Sequence, residues 1–240
     1  LNAALIAALV AAAISLKAPL EDAAKQFDAA APGEDITFTF GSSGQLAAQI
    51  EQGGPVDLFV SASSVEVERL EGSGRIDPGT RAVIAGNRLV VVVPRGTPPP
   101  ESLSGLVDPR FRRIAIGNVK TVPAGRYARE ALVASNLLGG VEKRFVYAEN
   151  VRQVVDIVAR KEADAGFIYA TDIPLGVDDI DLAFQVPAGL HSPIVTEAAV
   201  VAGAKGGTRA RAFLAYLESC KGRALFEAHG FLEPTVQAAK

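Results

Sequence analysis

Short uninterrupted apolar runs alternate along this chain with stretches of helical period. The runs at 8–14, 36–40, 58–61, 89–93, 114–116, 145–147, 165–169, 182–186 and 198–202 read as strands. They are rich in Val, Ile, Phe and Ala and lack polar alternation, the pattern of strands covered on both faces. Between them, apolar positions recur every three or four residues. One stripe is Leu16, Leu20, Ala23 and Phe27, and another is Leu46 with Ile50. Val151, Val154, Val155 and Val158 make a third, and Phe213, Leu214, Leu217, Ala224, Leu225 and Ala228 run toward the C-terminus. Such spacing gives each helix one buried face. The alternation predicts an α/β fold around largely parallel sheet. A chain of 240 residues suffices for one large domain or two lobes of roughly 100 residues each. No internal repeat of fixed period is visible.

Composition narrows the function classes. Hydrophobic residues make up 49% of the chain, enough for a packed core. Lys and Arg total 24 against 27 Asp and Glu, a net charge of −3, with no block of like charge. That excludes an electrostatic footprint for nucleic acid. The one cysteine, Cys220, cannot form an intramolecular disulfide. His191 and His229 are the only histidines, too few and too isolated in sequence for a metal site or a Ser-His-Asp triad. No phosphate-binding Gly-rich motif occurs. Residues 1–16 carry no charge but fall short of the ~20 residues of a membrane span. Residues 1–6 are expected to be the remnant of a leader, ahead of the first strand.

The candidate chemistry lies at helix starts. Ser15 follows the first strand, and Gly41-Ser42-Ser43-Gly44 follows the second. Val122-Pro123-Ala124-Gly125 and Glu149-Asn150-Val151 open two more helices. A helix N-terminus holds unsatisfied N–H groups and a partial positive charge, so it attracts anions. Ser42 and Gln45 fit a capping box, Pro123 suits the first helical position, and Asn150 suits an N-cap. Tyr169 ends the strand 165–169, at a place where ligands meet α/β sheets. Each of these residues also reads as an ordinary cap or core residue. Together they offer donors and no acceptor, which suits a small, fully deprotonated oxyanion.

Six motifs in order carry a resemblance. They are Ala12-Ala13-Ile14-Ser15-Leu16, Gly41-Ser42-Ser43-Gly44-Gln45-Leu46, Pro55-Val56-Asp57-Leu58-Phe59-Val60-Ser61-Ala62, Asn87-Arg88-Leu89-Val90-Val91-Val92, Val122-Pro123-Ala124-Gly125-Arg126-Tyr127-Ala128 and Ala163-Asp164-Ala165-Gly166-Phe167-Ile168-Tyr169. From about residue 8 onward the chain resembles the periplasmic molybdate-binding proteins of bacterial ABC importers. The resemblance implies a two-lobed periplasmic-binding-protein fold of type II. Each lobe would be a mostly parallel sheet flanked by helices, with the ligand in the cleft. Residues 1–86 and 203–240 would form the first lobe and 87–202 the second.

The implied function is capture of molybdate, and of tungstate, between hinged lobes and delivery to an ABC importer permease, with no catalysis. The implied ligand set is Ser15, Ser43, Ala124, Val151 and Tyr169. Molybdenum would enter only as the oxyanion, with no direct protein–metal ligand and no further cofactor. The resemblance also implies a monomer that is periplasmic or extracytoplasmic and has no nucleic-acid partner. A binding protein of the same fold for sulfate, thiosulfate or another oxyanion is the alternative. Two positions depart from the family pattern: Ile14 stands where an alanine is frequent, and Thr196-Glu197 stands where Tyr-Pro is frequent.

Overall fold

The computed structural model describes residues 7–30, 33 and 35–234, so the expected leader remnant at 1–6 lies outside the described residues. Two compact units emerge: Leu1–Gly86 with Val195–Lys240, and Asn87–Ile194. In the first, β1 (Ala8–Ala13), α1 (Lys17–Ala30), β2 (Ile36–Gly41), α2 (Ser43–Glu51), β3 (Leu58–Ser61), α3 (Ser64–Gly72) and β4 (Ala82–Gly86) follow one another. The second holds β5 (Leu89–Pro94), β6 (Ile114–Gly117), α4 (Pro123–Ala134), α5 (Leu138–Val141), β7 (Phe145–Ala148), α6 (Val151–Ala159), β8 (Ala165–Tyr169) and β9 (Ile180–Gln185). The chain then returns to the first unit as β10 (Val195–Val200), α7 (Gly207–Glu218) and α8 (Cys220–Ala228).

Each unit has one five-stranded sheet, in the order β2-β1-β3-β10-β4 in the first and β7-β6-β8-β5-β9 in the second. β1 is parallel to β2 and β3, while β10 is antiparallel to β3 and β4. Likewise β6 is parallel to β7 and β8, and β5 is antiparallel to β8 and β9. Four strands of each sheet therefore point one way and the fourth in order runs against them. That reversed strand is the first one the chain enters after crossing. The two units share one plan, with β1, β2 and β3 matched by β6, β7 and β8. No repeat in the sequence announces it.

The apolar stripes fill both faces of each sheet. Val151, Val154, Val155 and Val158 are all buried on α6, and every residue of β5 is buried. In the first unit Leu46, Ile50, Phe59 and Leu70 form one cluster. On α1 and α7, Phe27 packs against Phe213 at 5.3 Å and Tyr216 at 5.6 Å between ring centroids. Each such buried side chain contributes about 1.5–3 kcal/mol.

Two strand expectations need correction. β4 was not among the expected strands, and β10 begins at Val195 rather than at 198. Residues 195–200, expected with the second unit, instead form this strand of the first sheet. A charge disguised the start of β10 in the sequence. Glu197 is only 4% exposed, and Arg81 binds it in a two-pronged pair, Nε to Oε2 at 2.7 Å and Nη2 to Oε1 at 3.1 Å. Arg81 also reaches Glu68 and Glu71 on α3. A buried carboxylate is tolerated when held this way. The departure at Thr196-Glu197 is thus an ion pair tying β10 to the start of β4, at a register shift between those residues.

Candidate functional site

Register brings the two serines together. β1 and β2 are paired from Ala8 with Ile36 to Ala13 with Gly41. Ser15 lies two residues beyond Ala13 and Ser43 two beyond Gly41, so both emerge side by side at the C-terminal edge of adjacent parallel strands. Neighbouring strands lie about 4.8 Å apart. Strand order reverses here, since β2 lies on one side of β1 and β3 on the other. Open α/β sheets bind ligands at such points.

Ser15 sits within a single 3-10 turn, Ile14–Leu16, whose N-cap is Ala13. Its cap reading therefore does not apply. Among the described residues its hydroxyl has no hydrogen-bond partner. The capping box at Ser42 also takes a different form. Ser42 is the N-cap of α2, but its hydroxyl donates to Gln45 Oε1 at 2.8 Å instead of accepting a backbone N–H. The two side chains satisfy each other, and the first backbone bond of the helix is Leu46 N–H to Ser42 O at 3.1 Å. The N–H groups of the first turn are left uncapped. Ser43 itself is fully buried, and its Oγ accepts the Ala62 N–H at 3.1 Å. A hydroxyl that accepts from a fixed N–H keeps its own proton to donate.

The second unit repeats this arrangement at β6, β7 and β8. In α4, the N–H groups of Gly125 and Arg126 both return to Val122 O, at 3.0 and 3.2 Å. Pro123 has no N–H, so that of Ala124 stands outside the ladder. In α6, Asn150 caps as expected by accepting from Gln153 N–H at 3.0 Å. Gln153 Oε1 in turn accepts from Glu149 N–H at 2.7 Å. The Val151 N–H is left uncommitted at that turn, as is that of Arg152. Ala124 is fully buried and Val151 nearly so. Tyr169 is the buried last residue of β8. Of the five expected positions, Ser15 and Ser43 share one sheet edge, and Ala124, Val151 and Tyr169 follow strands of the other.

Three supporting residues escaped the sequence reading. Ala62 N–H holds Ser43 Oγ. Ser61, fully buried at the end of β3, accepts from Ser63 N–H at 3.2 Å. Asp172 Oδ2 accepts the Tyr169 N–H at 3.3 Å. Their sequence signal was position at or just beyond the end of β3 and of β8. Of the histidines, His229 Nε2 lies 3.1 Å from Oδ2 of the sequence-distant Asp22, and His191 Nδ1 lies 2.7 Å from the carbonyl oxygen of its neighbour Ser192.

Burial pushes the Asp172 carboxyl up to about 7, against weaker lowering by the Tyr169 N–H and by the Arg152 charge. A carboxyl raised in the folded state holds a proton that the unfolded chain has already lost. Its stabilising contribution is complete below the ordinary value of 3.8 and is lost as pH rises through about 7. Asp172→Asn keeps an acceptor for Tyr169 but cannot titrate. Chemical denaturation at pH 4 to 7.5 is expected to show the wild type losing up to about 1.4 kcal/mol per pH unit relative to this variant. Parallel pH profiles would contradict it.

The chain matches the family described as bacterial extracellular solute-binding protein over residues 8–232. It is 33% identical to the molybdate-binding protein ModA of Haemophilus influenzae, over 92% of this chain and 88% of that one. The solved periplasmic molybdate-binding protein of Azotobacter vinelandii superposes with a TM-score of 0.83 at 28% identity, covering 95% of this chain and all of that one. The sulfate-binding protein SubI of Mycobacterium tuberculosis shares the fold at a TM-score of 0.81 but only 18% identity, covering 96% of this chain and 87% of that one. The fold alone therefore does not choose the anion.

Proposed function

This chain belongs to the bacterial extracellular solute-binding protein family, and from that membership we propose that it captures molybdate, and tungstate equally, for an ABC importer. It is a binding protein and not an enzyme. The observation that carries the anion is the donor set itself: two serine hydroxyls, the Ala124 and Val151 N–H groups and a tyrosine hydroxyl, with no carboxylate among them. The protein acts outside the cytoplasm, as a monomer and without a cofactor. Among the described residues no helix is long and apolar enough to cross a membrane.

Selectivity follows from chemistry. A molybdate dianion presents acceptors only, and donors alone satisfy it. Phosphate keeps a proton near neutral pH, and the set holds no carboxylate to accept it, so a hydroxyl would have to give up its donor role. An unpaired buried donor costs about 1–3 kcal/mol. Sulfate has the right charge but shorter bonds, so a cage sized for molybdate leaves some donors out of reach.

Calorimetric titration with molybdate, tungstate, sulfate and phosphate tests the assignment. The expected result is tight one-to-one binding of the first two, weak sulfate and silent phosphate. Tight sulfate binding would transfer the assignment to the sulfate class, and no oxyanion binding would leave only the family.

A further inference from the structure

Lys17 is the first residue of α1, two positions after Ser15. Its ammonium does not simply extend into solvent. Nζ lies 5.9 Å from the centroid of the Phe40 ring and 3.8 Å from Glu21 Oε1, with the side chain 39% exposed. Phe40 is the penultimate residue of β2, just before Gly41, Ser42 and Ser43. The lysine head therefore lies against the Phe40 ring of β2, the strand paired with β1. A positive charge at a helix N-terminus opposes the helix dipole, so the position is unfavourable for helix stability alone. The aromatic face and Glu21 retain it there.

We infer that Lys17 steers the oxyanion to the donor edge of the first unit, setting the rate of capture and not the strength of holding. This inference rests on the anion reading above. The donors in the proposed set are neutral and the protein carries a net charge of −3, so a dianion approaching from bulk meets a repulsive average field. One partly exposed ammonium beside the entry point offsets that field locally. Its effect acts through solvent, so it is screened by salt and contributes little once the anion is seated on N–H and O–H groups. Glu21, one helical turn along, partly neutralises it and is the built-in counterweight.

Stopped-flow mixing with molybdate at about 10 mM and about 500 mM ionic strength tests this, at ionic strengths on either side of a ~10 Å Debye length. Tyrosine emission provides the signal, since the chain has four tyrosines and no tryptophan, and a dye on the exposed Cys220 provides a second. Lys17→Gln is expected to lower the association rate about two- to fourfold at low salt, with the difference vanishing at high salt and the dissociation rate unchanged. Glu21→Gln is expected to raise the association rate at low salt. Equal association rates for wild type and Lys17→Gln, or a loss confined to dissociation, overturn the steering role. A wild type that binds no oxyanion overturns both this inference and the anion reading, whereas binding with unchanged rates overturns this one alone.

Discussion

Replacing Ser43 with alanine is expected to weaken molybdate binding by about ten- to 150-fold, the cost of one hydrogen bond to a charged group at about 1.5–3 kcal/mol. The side chain is fully buried, so no water replaces the lost hydroxyl. A second loss accompanies the first, because the Ala62 N–H then has no Ser43 oxygen to meet. Losing that hydrogen bond lowers stability as well, by about 0.5–1.5 kcal/mol. Calorimetry for affinity and thermal unfolding for stability separate the two effects. An affinity within twofold of wild type would remove Ser43 from the ligand set. A loss of affinity with unchanged stability would show that the Ser43–Ala62 hydrogen bond adds little to the fold.

Gly125→Ala is expected to do comparable damage without removing any donor. A Cβ at Gly125 would fall 1.9 Å from Gly117 O and 2.6 Å from Gly117 C, both rigid backbone atoms at the end of β6. The start of α4 must then move away from the strand by more than an ångström, and the Ala124 N–H moves with it. Forcing such an overlap costs about 3 kcal/mol, or roughly 6–12 °C in melting temperature for a chain of this size. Displacing the Ala124 N–H is expected to lower molybdate affinity about tenfold or more. Gly139→Ala in α5, where nothing lies within 4 Å of the added carbon, is the matched control and should leave both quantities near wild type. A Gly125→Ala protein that melts and binds like wild type would contradict the close approach of α4 to β6.

The two predictions rest on different parts of what the chain discloses. Gly125 and Ser43 were both visible as members of short motifs, yet their reasons were not. Val151, Val154, Val155 and Val158 announced α6 because the helix period is local, and the run at 89–93 announced β5 for the same reason. The first residues of β10, Val195 to Glu197, stayed hidden because Glu197 reads as a solvent residue until Arg81, 116 positions away, is placed against it. β4 stayed hidden because its short Ala-Val-Ile-Ala-Gly run borders the longer β5 run with only Asn87 and Arg88 between.

The same division runs through the candidate site. Helix starts after strands, the Pro at the opening of α4 and the Asn150 cap are properties of a few adjacent residues, and the sequence by itself determined them. Which of those starts keep free donors was decided only in three dimensions. The Ser42 hydroxyl accepts from no helix N–H because it donates to Gln45, Ser43 is oriented by Ala62, and Ser15 and Ser43 stand together because Ala13 is paired with Gly41. Tyr169 is braced by Asp172, whose proton is held by burial that no local pattern reveals. Periodicity and caps are short-range and legible along the chain. Hydrogen-bond satisfaction, register and desolvation depend on partners brought from far away, so only the tertiary structure settles them.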